Sequence, residues 1–209
     1  MTIILPSLAS SNTADILGAI RSLEGYEYVH FDIEDGNFVD NITFGLKTIR
    51  AVRELTKAEF DAHLMVTDPL KYIIPLAEQN FKTVAFHWES TIYPMRVINE
   101  IKHNNMRASV ALNPATPADM VADYLSAIDE VLVMASEPDG YGESFQPHVL
   151  GKIQRLRQLA PTISIVVDGG VNKTLLPKVV AAGANRVVMG RAVFNAENPK
   201  AFIDACCEI

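Results

Sequence analysis

The sequence predicts a (β/α)8 barrel of the TIM type, and three observations carry that reading. Short apolar runs alternate with amphipathic stretches along the chain, so strand periodicity and helix periodicity take turns. The runs are almost continuously apolar, as in VLVM (131–134) and IVV (165–167), which is the pattern of strands buried on both faces. Eight strand–helix pairs fit within 209 residues, and strands separated by whole helices must pair in parallel. Such a set closes into a barrel near the small end of that fold's size range. The alternative is a doubly wound open sheet, but no GxGxxG follows the first strand.

The elements follow in order. A strand at 3–6 precedes a helical pattern at 12–23, with Asn12 or Thr13 as its cap. YEYVHFDI (26–33) is a strand, and LKTIRAVREL (46–55) is a helix. AEFDAHLM (58–65) leads into Asp68 and Pro69, a cap and first-turn proline for a helix to about residue 79. The strand at 82–87 precedes a helix at 92–103, and RASVALN (107–113) precedes Thr116, Pro117 and a helix to residue 127. The strand at 129–135 is followed by a loop and a helix at 147–159, the strand at 162–168 by a helix at 173–182, and NRVVMG (185–190) by a last helix at 199–207. Neither a linker nor a low-complexity segment interrupts the series, so residues 1–209 are expected to form a single barrel domain.

Composition narrows the function classes. The chain is 49% hydrophobic and 21% charged, with a net charge of -7. No Lys/Arg cluster offers a nucleic-acid surface, and an anionic ligand would need local donors. Cys206 and Cys207 are adjacent near the C-terminus, with no other cysteine to pair with, so no disulfide framework is expected. The first ten residues lack the features of a signal peptide, and no apolar run is long enough to span a bilayer. A soluble, cytoplasmic protein is the expectation.

The fold assigns a place to the ionisable residues inside the strands. Asp32, His63, His87, Asn113, Ser136 and Asp168 fall at the C-terminal ends of strands, the active-site face of this barrel. His30 and Asp32 are two apart on one strand and so point to the same side. With His63 and Asp168 they make a mixed nitrogen and oxygen set suited to a divalent transition metal. The competing reading is four separately satisfied polar residues. Asp61, two before His63, either faces the interior as an outer partner to a ligand histidine or has a helix-contacting or solvated role. Asp168 opens DGG, where Gly169 and Gly170 let backbone N–H groups approach an anion, or simply make a turn. Gly190 with Arg191, and the segment 137–144, are two more candidate anion loops. Arg191 either clamps a phosphate or lies on the surface of the last helix. Met65 and Met134, at strand ends, are core residues or caps over a substrate.

At these residues the chain resembles the ribulose-phosphate 3-epimerase family. The likeness is carried by PSLAS (6–10), HFDIEDGNFVDNITFG (30–45), DAHLMVTDP (61–69), ALNPATP (111–117), VDGGVN (167–172) and GRAVF (190–194). The resemblance implies that His30, Asp32, His63 and Asp168 hold a divalent ion such as zinc, iron, manganese or cobalt. It implies that Asp32 and Asp168 are also the acid/base pair. It puts Ser7 on the substrate and Gly142, Gly169, Gly170 and Gly190 on its phosphate. It also implies a homo-oligomer, a dimer or a hexamer. Removing the proton beside a ketose carbonyl leaves an enediolate, which a Lewis acid stabilises. Inverting that carbon requires a base on one face and an acid on the other.

Some positions depart from the family. Glu34 stands where a methionine is common, Asn37 where histidine is common, and Arg191 where serine is usual. The segment from Glu137 to Glu143 replaces an NPGFGGQ-like loop, keeping only Pro138 and Gly142 in position. These changes resemble a divergent branch of sugar-phosphate epimerases. The leading expectation is a metal-dependent 3-epimerase of a ketose phosphate of the ribulose 5-phosphate/xylulose 5-phosphate type. An epimerase of another sugar phosphate, such as allulose 6-phosphate, and a non-catalytic sugar-phosphate binder are the alternatives. A related decarboxylase or aldolase would carry a DxKxxD-like strand, and HFDIED has no lysine.

Overall fold

The structure is a computed structural model, and it describes residues 2–138 and 144–209. Its strands are β1 (Ile3–Pro6), β2 (Tyr28–Glu34), β3 (Glu59–Met65), β4 (Phe81–His87), β5 (Arg107–Leu112), β6 (Glu130–Met134), β7 (Ser164–Asp168) and β8 (Arg186–Met189). All neighbours pair in parallel, in the order β1-β8-β7-β6-β5-β4-β3-β2. A parallel bridge from Ser7 to His30 joins the two ends, so the sheet is a nearly closed barrel. The helices are α1 (Ile16–Ser22), α2 (Leu46–Leu55), α3 (Leu70–Ala77), α4 (Pro94–His103), α5 (Val149–Leu159), α6 (Leu176–Ala182), α7 (Arg191–Phe194) and α8 (Pro199–Cys207). No helix among the described residues is long and apolar enough to cross a membrane.

Strand alternation divides the apolar residues between two cores. Phe31, Phe60 and Phe86 are fully buried in the larger core, shared by the strands and the surrounding helices. Phe31 packs against Phe60, Phe81 and Phe44 with ring centroids 4.8, 5.4 and 5.6 Å apart. Each fully buried side chain of this size contributes roughly 1.5–3 kcal/mol. A smaller cluster of Leu5, Ala85, Ala111, Leu132, Met134, Val166 and Val188 fills the barrel interior. Leu132, Val166 and Val188 are branched, as such interiors favour. The ionisable residues of the strands share that inner side, above and below this apolar belt.

Three local differences from the sequence reading have clear causes. The segment after β5 forms a 3-10 helix, Ala118–Tyr124, instead of an α-helix. Its buried residues Ala118 and Val121 and the half-buried Tyr124 recur every third residue, the period that aligns side chains in a 3-10 turn. The helix after β7 begins at Leu176, not at residue 173, because the Asn172 side chain accepts from the N–H groups of Thr174 and Leu175 and holds a turn. Before α8 the chain inserts the short α7, which begins at Arg191. At the start of the chain Asn12 caps a 3-10 turn, and Asp15 caps α1 by accepting from Gly18.

Candidate active site

The register between β2 and β3 assembles the site. His30 lies opposite Asp61, and Asp32 opposite His63. Paired residues of parallel strands share a face, so all four project into the barrel. Asp168 reaches the same point from the end of β7. One donor atom from each of His30, Asp32, His63 and Asp168 lies within 4.8 Å of all the others. His30 Nε2 is 3.3 Å from Asp32 Oδ1 and 4.0 Å from Asp168 Oδ2. His63 Nδ1 is 3.1 Å from Asp32 Oδ1 and 3.2 Å from Asp168 Oδ2. The group could hold a metal ion.

The surrounding contacts set each side chain's direction. His30 Nδ1 is 3.0 Å from Asp61 Oδ1, which leaves Nε2 toward the centre. That nitrogen is buried and has no hydrogen-bond partner among the described residues; its 3.3 Å approach to Asp32 is not aligned for one. His63 Nε2 lies 2.8 Å from His87 Nε2, and His87 Nδ1 lies 3.3 Å from Glu89 Oε2. Ser7 Oγ donates to Asp32 Oδ2 at 2.5 Å. Thr43 Oγ1 donates to the Asp32 carbonyl at 2.5 Å and accepts from the Glu34 N–H, pinning the end of β2.

The electrostatics favour a cation at the centre. Burial pushes both imidazoles toward neutrality, but the carboxylates outweigh it. Asp32 and Asp61 raise His30 well above its ordinary value, and Asp168 with Asp32 raises His63 to about 9. Asp32 itself, although burial pushes it up, is held far below the usual carboxylate range by His30 and His63. A field that holds protons this firmly on nitrogen also attracts a metal cation to the same point. His87 goes the other way, to about 4, chiefly through burial, so it is the neutral outer partner of His63.

Above the cluster opens a cleft of about 440 Å³, within the range of small-ligand sites. Ser7, Asp32, Asp168, Gly169, Gly170, Gly190 and Arg191 all line it, as do Met65, Met134 and Ser136. Gly169 has φ +116°, and a Cβ there would lie 2.6 Å from the Ser136 backbone nitrogen. A Cβ on Gly190 would collide with the Ser10 side chain. Gly142 lies outside the described residues. Glu34 lines the cleft and accepts from Asn41 Nδ2 at 2.6 Å. Asn37 is not among the cleft residues; its amide folds back onto Asp35.

Two carboxylates fasten neighbouring loops around the rim. Asp35, after β2, accepts from the Thr67 N–H and hydroxyl after β3, each at 2.9 Å. Glu89, after β4, accepts from the Asn113 N–H at 3.0 Å and from the Thr116 hydroxyl after β5. In the sequence, His87 stands out only as a strand-end residue, and Glu89 and Thr43 have no assigned role. The signal was present for the first pair: HWE repeats the i, i+2 spacing of HFD at the end of a strand.

Comparison with known proteins agrees with this geometry. The profile of the ribulose-phosphate 3 epimerase family matches residues 3–194. The ribulose-phosphate 3-epimerase of Eremothecium gossypii is 36% identical, with 95% of this chain and 88% of that protein covered. The cytoplasmic isoform from Oryza sativa subsp. japonica is 38% identical over 97% of this chain and 91% of that one. The enzyme of Mycobacterium tuberculosis H37Rv is 32% identical, with 97% and 90% covered. Among solved structures, the tryptophan synthase complex from Pyrococcus furiosus superposes with a TM-score of 0.70 at 12% identity, covering 100% of each chain. A tryptophan synthase alpha-subunit mutant (E244A) from the same organism gives 0.69 at 12%, covering 100% and 98%. At that identity the likeness concerns the barrel alone. The profile match over nearly the whole length, together with relatives above 30% identity, makes the chain a member of the ribulose-phosphate 3-epimerase family.

Proposed function

We propose that this protein is a metal-dependent epimerase acting at carbon 3 of a ketose phosphate, of the ribulose 5-phosphate/xylulose 5-phosphate type. The observation that carries the reading is the buried convergence of two imidazoles and two carboxylates at the floor of a cleft. The donor set fits a divalent ion such as zinc, iron, manganese or cobalt: His30 presents a buried nitrogen with no hydrogen-bond partner among the described residues, and the other three donors lie around it. His30, Asp32, His63 and Asp168 would hold that ion. Once bound, it would act as a Lewis acid toward the charge that develops on the substrate oxygens.

The remaining work falls to the chain's own groups. Asp32 and Asp168 come from β2 and β7, on two sides of the cleft floor, and each offers a carboxylate oxygen for proton transfer. The ionised one takes the proton from carbon 3 while the other, which begins protonated, delivers its own to the opposite face, and their roles exchange when the reaction reverses. Ser7 orients the Asp32 carboxylate. Met65 and Met134 line the cleft with uncharged thioethers and limit water there. The phosphate is assigned to the end of the cleft lined by Gly169, Gly170, Gly190 and Arg191, with Gly142 carried over from the family likeness. The protein would work in the cytoplasm as a homo-oligomer, dimer or hexamer. Ile92 and Tyr93, 84% and 63% exposed, are apolar surface that such assembly could cover.

A second reading is favoured by Glu34. Fixed by Asn41 in the cleft, its carboxylate can accept a hydroxyl that an apolar residue would not. That suits a longer sugar, such as the hexulose allulose 6-phosphate. One experiment separates the readings: ketose 5- and 6-phosphates are incubated with the protein in deuterated water, and deuterium at carbon 3 is followed by NMR. Exchange fastest with pentulose phosphates supports the first reading, and fastest with hexulose phosphates the second. No exchange with any of them, in protein supplied with each divalent ion, refutes an epimerase.

A further inference from the structure

The barrel holds a second ionic cluster at the opposite end from the cleft. Arg186, Glu130 and Asp61 are 4%, 3% and 2% exposed. Arg186 Nη1 lies 2.5 Å from Glu130 Oε2 and 3.1 Å from Asp61 Oδ2. Ser164 Oγ donates to the same Glu130 oxygen at 3.1 Å. Asp61 therefore has two attachments: Oδ2 faces the guanidinium below, while Oδ1 meets His30 Nδ1 above.

This connection has a directional consequence. A carboxylate paired with a guanidinium only accepts hydrogen bonds, so the His30 nitrogen facing it must be the donor. In the neutral ring that a bound cation requires, the other nitrogen, Nε2, then carries the lone pair, and it is the buried atom aimed at Asp32 and Asp168. Stability alone does not call for such a cluster. Buried ionic groups replaced by apolar ones of similar volume often leave a protein as stable or more so. Ile3 and the Tyr28 ring, packed against the inner cluster, show that apolar side chains also occupy this level of the barrel.

We propose that Arg186, anchored by Glu130, is a positioning residue for metal binding: it fixes Asp61 so that His30 presents Nε2 to a divalent cation held with Asp32, His63 and Asp168. The proposal rests on the metal-site reading above, and its test keeps the two apart. Zinc dissociation constants are measured on the purified full-length chain by competition with a chromogenic chelator, alongside the absorption of bound cobalt(II) and the melting temperature. Arg186→Met is expected to raise the zinc Kd by about 10-fold, the lower end of the effect of losing a direct outer partner of a ligand, because Arg186 acts through Asp61. Arg186→Lys, which keeps a cation between the carboxylates, is expected to bind more tightly than Arg186→Met. The double variant Arg186→Met/Glu130→Met removes both charges, so it carries the test if the single variant does not fold. It is expected to melt above the single variant, since only Asp61, still paired with His30, loses its counter-charge, with the Kd still raised. An unchanged Kd in either folded variant overturns the role of Arg186. A wild-type chain that binds neither zinc nor cobalt overturns the metal reading itself, and this proposal with it.

Discussion

Gly169→Ala should damage the protein twice, and both effects can be sized from the backbone. The residue follows Asp168 with φ +116°, a conformation that costs a side-chain-bearing residue about 1–3 kcal/mol. The new Cβ would also lie 2.6 Å from the Ser136 nitrogen and 3.1 Å from the Ala135 carbonyl carbon, both backbone atoms. Reaching an ordinary contact means opening the ends of β6 and β7 by roughly 0.8 Å in a close-packed region. Those ends are tied where Ala135 N donates to Asp168 O at 2.5 Å, so the shift passes to Asp168. For a chain of this length the strain alone lowers Tm by about 2–12 °C. Displacing a catalytic group by nearly 1 Å lowers kcat/KM by about 100-fold. Gly151→Ala in α5 is the control: its Cβ meets nothing within 4 Å. An alanine there, in the first turn of the helix, should be neutral or add up to about 0.5 kcal/mol. Calorimetry and the deuterium-exchange assay measure both quantities. If Gly169→Ala melts within about 1 °C of wild type and retains full exchange activity, the reasoning is refuted.

Three further outcomes are expected. Asp32→Asn and Asp168→Asn should each lower kcat by about 10²–10⁴-fold in a folded protein, and near-wild-type turnover by both would remove them from proton transfer. Arg191→Ala should raise KM for a phosphorylated ketose with a smaller change in kcat, and an unchanged KM would take the phosphate contact away from that side chain. Asp35 and Glu89 both titrate at about 2: burial pushes each up, but backbone N–H donors at Asp35, and His87 with Thr116 at Glu89, outweigh it. Because these folded values lie below the unfolded ones of about 4, the stabilisation is present above pH 4 and lost as pH falls toward 2. Hydrogen-exchange protection of the Thr67 and Asn113 amides should therefore decline over that interval, and constant protection would contradict it.

The parts of the fold legible in the sequence were those governed by periodicity. LKTIRAVREL and the segment 199–207 are helices with the bounds their patterns indicate, because their apolar spacing and flanking residues agree. Where side chains redirect the backbone, the pattern misled. Asn172 occupied residues expected to be helical, and a period of three turned the segment after β5 into a 3-10 helix. The convergence of His30, Asp32, His63 and Asp168 was legible because strand ends share one rim of a barrel. The contact of Ser7 with Asp32 was not, since it depends on how β1 meets β2 at the closing edge. Neither was the salt-bridged cluster below the apolar belt, because Arg186 and Glu130 are 56 residues apart and nothing local marks them as partners.

The rim carboxylates Asp35 and Glu89 also bear on how this scaffold can be diversified. Each joins one loop to its neighbour, so the loops after β2 and β3 form one mechanical unit and those after β4 and β5 another. A library that randomises a single loop would break a stitch and leave a carboxylate facing a partner it no longer has. Varying the loops in these pairs, with Asp35–Thr67 and Glu89–Asn113 held constant, would let the mouth be recut for a new sugar while each loop keeps its anchor.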